Sequence, residues 1–346
     1  MIKSLTSLRG IFILFIFFHH CLQIYPGGGT MAVAFFFVLG GFSMTLGYKD
    51  KVQDPNFRHL QYLKKRCIKF YPLHWITLLA SIPLIVSTYN LKFIPVFFVN
   101  AALLQSWIPI GNVYMSFNYV SWYLADTIFF AVVFPFVFRW IAGATTKGKV
   151  LIAAFLALMY IAVAIVVPDD YHHAVLYVSP YMRLTDFIVG IYLALGYLRL
   201  KARWDSRSHG IAGPVCVLVL IALLVVESCL LPEQVTYFAP VYWPLITLLI
   251  LAASLFAVNA RGNWLENKYL VRFGELSFVF FMIHQLVLRY ATGLFENVLQ
   301  YENDILYVSL TLLLTIALSL VIKRYVLNPI TLWLTTRNQQ SMIARS

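Results

Sequence analysis

Ten apolar runs, each long enough to cross a lipid bilayer, leave this sequence few folds to choose from. They lie near residues 8–25, 31–48, 70–88, 119–138, 150–167, 181–198, 211–231, 241–258, 273–293 and 305–327, punctuated by polar residues, glycines and prolines. One crossing of the hydrocarbon core needs about 20 apolar helical residues. No water is present there to satisfy backbone N–H and C=O groups, so a spanning segment must satisfy its own. The expected fold class is therefore all-α, a polytopic membrane helical bundle with about ten transmembrane helices. Composition agrees: 61% of the 346 residues are apolar and 12% charged, with a mean hydropathy of +0.79. Soluble proteins carry about 25% charged residues, so a soluble domain, a disordered tail and a secreted disulfide scaffold are excluded. Cys21, Cys67, Cys216 and Cys229 form no CxxC and no Cys/His cluster, which gives no sign of a metal site or a disulfide framework.

An eleventh run, 93–109, is short and carries Pro95 and Pro109. Charge decides whether it crosses. With the N-terminus in the cytoplasm and only the ten long runs crossing, all of the 26 basic residues except Lys92, Arg183 and Arg289 fall on the cytoplasmic side. If 93–109 crossed, every later basic cluster would face outward. The positive-inside rule thus predicts both termini in the cytoplasm and 93–109 as a re-entrant or interfacial segment. Asp169, Asp170, Glu233, Glu296, Glu302 and Asp304 then lie in outer loops. The net charge of +12 becomes cytoplasmic anchoring charge rather than a nucleic-acid surface. Lys3 and Arg9 ahead of Ile11–Phe18 resemble a signal peptide, but no small-x-small cleavage site follows, so a retained first helix is expected. Asp54-Pro55-Asn56 marks a turn in the basic segment 49–69. No internal repeat is evident.

Ionisable residues inside membrane helices are costly and therefore candidates for function. Arg9 and His20 are eleven residues apart, which returns them to nearly the same helix face. At 1.5 Å per residue His20 lies ~16 Å beyond Arg9. His284 sits eleven residues beyond Phe273, at a comparable depth. Each histidine could equally hydrogen-bond a neighbouring helix. Arg66 and Lys69, at i and i+3, place two cations at a cytoplasmic mouth, where they could hold phosphates or simply anchor the helix. Arg183 and Asp186 are also i and i+3, at an outer helix end. They could pair with each other or face a polyhydroxyl ligand. Ser121-Trp122-Tyr123 opens an outer helix end, as an aromatic belt would, with Asp126 one turn further. His172-His173 is a weak metal hint, with loop solvation the stronger reading.

These motifs, in this order, resemble the membrane acyltransferase-3 family nearly end to end. Leu8-Arg9-Gly10 followed by His20 is similar to its first-helix Arg…His signature, spacing included. Phe35-Phe36-Phe37-Val38-Leu39-Gly40-Gly41-Phe42 resembles its Phe-Phe-x-x-Ser-Gly-Phe, with Gly40 where Ser is usual. Arg66-x-x-Lys69-Phe70-Tyr71-Pro72 resembles Arg-x-x-Arg-x-Tyr-Pro, with a lysine point charge replacing a bidentate guanidinium. Trp122 begins a similar Trp-containing helix through Phe134-Pro135, but the Glu often found five residues on is Thr127, beside Asp126. Arg183-Leu-x-Asp186-Phe187 with Gly190 resembles Arg-Leu-x-Glu-Phe-x-x-Gly. Phe273-Gly274-Glu275-Leu276-Ser277-Phe278 through His284 resembles the family's late Gly-x-x-Ser-Tyr-x-x-Tyr-x-x-His helix. Tyr325 through Asn328-Pro329 is similar to a terminal Phe-x-Glu-Lys-Pro without its charges.

The resemblance implies an acyltransferase-3-like transmembrane domain over 1–335 and a short cytoplasmic tail, 336–346. It implies transfer of an acyl group, usually acetyl, from cytoplasmic acyl-coenzyme A to a hydroxyl of a surface glycan or its lipid-linked precursor, at the outer side of a cell inner membrane. His20 would be the base or acyl carrier and Arg9 would steady the donor. Arg66, Lys69 and Tyr71 would bind acyl-coenzyme A. Trp122, Asp126, Arg183, Asp186 and His284 would bind or support the acceptor. The partners implied are acyl-coenzyme A, a carbohydrate acceptor and the bilayer, without metal or nucleic acid. The alternatives are a multi-span glycan transporter without chemistry, a succinyl donor, or a non-sugar acceptor. Acceptor choice would lie in outer loops such as 168–180 and 294–304.

Overall fold

The computed structural model describes residues 2–22, 26–86, 93–203, 212–255, 263–295 and 304–343. Among these residues every regular element is helical, as the apolar runs require. The chain opens with α1 (Lys3–Leu22) and α2 (Pro26–Gln53). The predicted turn follows, closed by Asn56 N–H donating to Asp54 Oδ1 at 2.8 Å. Next come α3 (His59–Ser81), a single turn α4 (Pro83–Val86), and the short α5 (Phe93–Ala101) and α6 (Gly111–Tyr114). After α7 (Ser121–Gly143) and α8 (Thr146–Val166), a π-helical segment, His173–Val178, leads into α9 (Pro180–Lys201). The order continues with α10 (Ala212–Leu230), a turn α11 (Glu233–Thr236), α12 (Trp243–Leu255), α13 (Lys268–Leu294), α14 (Asp304–Val321) and α15 (Asn328–Ile343).

Among the described residues, seven helices are long and apolar enough to cross a membrane: α1, α2, α7, α8, α10, α13, and α14 continued to Thr336. Asp169–Val178 and α9, bent by 48° at their junction, make an eighth if counted as one span. The remaining apolar runs fall on α3–α4 and α12. The start of α3 is charged, with Lys64, Lys65, Arg66 and Lys69, and α12 has 13 residues, or about 20 Å. The protein is thus multi-pass, with some spans bent, short or polar at one end. The 93–109 run holds only the nine residues of α5 and a three-residue 3₁₀ turn, Gln105–Trp107. Nine residues rise about 14 Å, under half of the hydrocarbon core. Lys92, Glu296, Glu302 and most of the 294–304 loop lie outside the described residues.

The described residues divide into two units, 1–57 with 132–275 and 58–131 with 276–346. Glycines set the packing of the first. A Cβ on Gly41 of α2 would run into the Phe187 carbonyl of α9, and one on Gly190 would run into the Val38 carbonyl, so the two backbones touch. Gly10 and Gly274 do the same for α1 and the start of α13: a Cβ on Gly274 would strike the Thr6 carbonyl. In lipid, such close approach supplies the dispersion contact that holds helices together. Phe12 stacks on Phe35 at 3.7 Å, joining α1 to α2. Four motif glycines, Gly10, Gly41, Gly190 and Gly274, and Phe35 of the phenylalanine run therefore serve helix contact.

The second unit is less regular. Leu78, Ile85, Ala101 and Phe117 form its apolar cluster. Between α5 and α7 the chain reverses through Leu103 (φ 57°) and Phe117 (φ 55°). Arg289 of α13 secures this segment: Nη1 donates to the Phe117 carbonyl at 2.8 Å, and the guanidinium lies 4.2 Å from the Tyr119 ring. That contact explains why a basic residue is kept where the anchoring pattern has few.

Candidate functional site

In the first unit, Arg9 and His20 ride on one unbroken helix, so their ~16 Å separation along the axis holds. Both are half-buried. The His19 ring lies 5.3 Å from that of His20 and rests on Gly29 of α2, where a Cβ would come within 2.5 Å of its Cδ2. His19 is thereby a packing residue beside the candidate base.

Arg183 and Asp186 are 1% and 0% exposed. They form an ion pair at 2.8 Å, one turn apart on α9. Arg183 Nε also donates to the Tyr177 carbonyl at 2.6 Å, and its guanidinium lies 4.7 Å from the Tyr177 ring. Trp243 Nε1 donates to the second carboxylate oxygen, Asp186 Oδ1, at 2.6 Å. Of the two sequence readings, the paired one describes these contacts. Two buried charges satisfied by each other, a carbonyl and an indole form a rigid support that ties α9 to α12 and to the π-helical segment. Trp243 and Tyr177 were missed in the sequence, where each reads as an aromatic beside a helix end.

His172 and His173 are not a solvated loop pair. His172 is buried, with Nε2 2.9 Å from the Val167 carbonyl, and the His173 ring packs on Tyr177 and Tyr237 at 5.1 and 5.3 Å. Among the described residues no group of three His, Cys, Asp or Glu side chains could hold a metal.

In the second unit, α3 carries Arg66, Lys69 and Tyr71. Lys69 is exposed and Arg66 half-buried, with the guanidinium 5.4 Å from the Tyr62 ring. Pro72, inside α3, has no N–H to give the Ile68 carbonyl. Tyr71 reaches toward the Ala102 carbonyl at 3.5 Å and its ring meets His74 edge-on at 6.0 Å. Trp122 and Asp126 are buried on α7. Thr127, where a Glu would match the motif, donates its hydroxyl to the Tyr123 carbonyl at 2.9 Å.

His284 on α13 is fully buried, and its Nδ1 lies 2.6 Å from the Phe281 carbonyl. A carbonyl only accepts, so Nδ1 carries the hydrogen and Nε2 is the basic nitrogen of the neutral ring. The neighbouring Phe280 ring stacks nearly parallel to it at 6.2 Å. This unit also buries a group of amides that spacing did not single out: Asn100, Gln105 and Asn118. The available signal was the four amides of the mostly apolar 93–120 stretch, Asn100, Gln105, Asn112 and Asn118.

Residues 2–324 match the acyltransferase domain family Acyl_transf_3. The chain is similar to Acyltransferase MdmB of Streptomyces mycarofaciens, with 28% identity over 297 residues, 80% of this chain and 72% of that protein. No solved structure matches it. The matched span takes in every motif residue from Arg9 to His284, carried on the helices of a multi-pass membrane protein, and the chain belongs to the acyltransferase-3 family of membrane acyltransferases.

Proposed function

We propose that this protein moves an acyl group, acetyl by preference, from cytoplasmic acyl-coenzyme A to a hydroxyl of a carbohydrate acceptor at the outer side of a cell inner membrane. The observation that carries the reading is the Arg9–His20 pair on one unbroken helix of a chain that matches an acyltransferase family over residues 2–324. His20 takes the proton of the acceptor hydroxyl. The oxygen attacks the thioester carbonyl, the C–S bond breaks, and the coenzyme A thiolate leaves and is reprotonated. Histidine is the side chain most often used for such proton transfer. Arg9, nearer the cytoplasm on the same face, steadies the donor through its phosphates, which a guanidinium can hold in a bidentate way.

Arg66 and Lys69 hold the coenzyme A phosphates and Tyr71 flanks them. The exposure of Lys69 supports that role, because an exposed cation on a basic helix end can meet a soluble donor. Trp122, Asp126, Arg183, Asp186 and His284 bind or support the acceptor. The test uses membrane vesicles carrying wild type or His20→Ala, supplied with radiolabelled acetyl-coenzyme A, with label followed into carbohydrate, lipid and protein. Label entering carbohydrate with wild type alone is expected. No label in any fraction, with folded protein and acceptor present, would refute the acetyl-transfer reading.

A further inference from the structure

We infer that His74 and the segment 100–121 form a binding site for a neutral, hydroxyl-rich ligand. The inference rests on the acceptor chemistry proposed above and locates it. This stretch is irregular backbone within a membrane protein, which is tolerated where it is buried in protein or lines a polar cavity. It contains Leu103 and Phe117, two bulky residues held at φ 57° and 55°. Strain of this kind persists only where the surroundings over-determine it, and it gathers at ligand sites.

The hydrogen bonds define the ligand's chemistry. His74 Nε2 lies 2.9 Å from the Asn100 carbonyl, so Nε2 carries the hydrogen and Nδ1 of the neutral ring is an acceptor. Asn100 Nδ2 donates to the Val96 carbonyl at 2.9 Å and to Ser116 Oγ at 2.8 Å. Asn118 Nδ2 donates to the Met282 carbonyl at 2.8 Å, and Gln105 Nε2 donates to Ser121 Oγ at 3.0 Å. The backbone carbonyls fix which way both asparagine amides point. Each donor nitrogen of these four side chains is thus engaged by protein, the Asn100 amide through both of its N–H groups and the Gln105 and Asn118 amides through one each. Their acceptors are not: His74 Nδ1, Asn100 Oδ1, Gln105 Oε1 and Asn118 Oδ1 are buried and receive no hydrogen bond from the described residues. All four side chains are at most 1% exposed.

The four residues are linked in space. His74 bonds Asn100, Asn100 bonds Ser116, Ser121 N–H donates to the Asn118 carbonyl at 2.8 Å, and Gln105 bonds Ser121. An uncharged cluster with surplus acceptors favours a ligand that brings O–H donors. A phosphate or an acyl carbonyl could draw on just the second N–H of Gln105 and of Asn118 against four open acceptors, and a cation would find no carboxylate among these side chains. A sugar face supplies several O–H groups at once. Trp122, next to Ser121 and 4% exposed, adds an aromatic ring of the kind sugars stack on.

The test is saturation-transfer NMR on the full chain in lipid nanodiscs, with methyl α-glucopyranoside and its permethylated analogue as probes. The two share a ring, but only the first has O–H donors. Transfer to the glycoside and none to the permethylated analogue, above protein-free nanodiscs, is expected. Gln105→Met should weaken the glycoside about five- to tenfold, the scale of one hydrogen bond, and Gln105→Glu, which keeps an acceptor oxygen, should retain binding. Equal transfer to both probes, or none to the glycoside because the acceptors hold only water, overturns the proposal. The comparison of the two probes on wild type needs no substitution to fold. Glycoside binding without label transfer in vesicles would keep this site and remove the acyl-transfer reading. Label transfer that Gln105→Met leaves unchanged would do the reverse.

Discussion

Alanine placed in turn at three glycines of α2 should separate packing from propensity. Gly47 has nothing within 4 Å of a would-be Cβ, Gly40 has only Phe187 Cδ2 at 3.8 Å, and Gly41 faces the Phe187 carbonyl, with that carbonyl carbon at 2.9 Å and Gly190 Cα at 3.2 Å. Alanine at Gly47 removes a helix penalty of up to about 1 kcal/mol. At Gly40 the new methyl lands at ordinary contact distance, so the effect should be small and of either sign. At Gly41, α2 and α9 must part by about 1 Å or more to restore carbon–oxygen contact. Overpacking of this kind costs about 1–3 kcal/mol. The propensity gain is common to both, so Gly41→Ala and Gly47→Ala should differ by the overpacking cost, about 1–3 kcal/mol. For a domain of 150–250 residues each kcal/mol moves Tm by about 2–4 °C, so a gap of about 2–12 °C is expected. Heating in detergent followed by fluorescence-detected size exclusion reads it. A Gly41→Ala protein that melts together with Gly47→Ala would refute the backbone contact between α2 and α9, and with it the account of how Arg183 and Asp186 are positioned.

Other substitutions probe the buried charges and the donor residues. Arg183→Met or Asp186→Leu alone strands a buried charge and should cost about 3–5 kcal/mol, while the double substitution should recover most of that loss in the same melting assay. Trp243→Phe keeps the ring and removes the indole donor to Asp186. A hydrogen bond to a charged group contributes about 1.5–3 kcal/mol, so a clear fall in melting temperature is expected, with Trp243→Tyr no better unless its hydroxyl reaches the carboxylate. Arg66→Ala and Lys69→Ala should each raise KM for acetyl-coenzyme A about tenfold at unchanged kcat, an effect that shrinks as salt rises. Lys69→Arg should retain tight binding. Equal losses in kcat and kcat/KM would argue instead for a role in the transition state.

What could be read before folding was mainly what is local. Runs such as 150–167 and 211–231 are apolar enough to announce α8 and α10, and the distribution of basic residues already argues against 93–109 as a crossing. Arg9 and His20 share a face because helix geometry fixes it, whatever surrounds the helix. The family motifs in their order carried the enzyme class. Rotation and partnering were not legible. In a soluble helix the buried face shows as a 3.6-residue period, but lipid is as apolar as a protein core, so the membrane-facing and protein-facing sides of α2 or α9 look alike in sequence. For that reason Gly41 and Gly190 read as motif letters and only the structure makes them one contact. The same holds for the Arg183–Asp186 pair, whose alternatives differ solely in what lies opposite, and Trp243, 57 residues away, decides it. His172 and His173 looked like loop residues until neighbouring elements buried them. The Asn100, Gln105 and Asn118 acceptors are defined by which of their donors a distant carbonyl or hydroxyl takes up. The sequence by itself determined which segments must be helical and which groups are costly to bury there, because both follow from transfer into lipid residue by residue. Only the tertiary structure decided how those costs are met, because hydrogen-bond satisfaction is a property of pairs of atoms that the chain brings together from far apart.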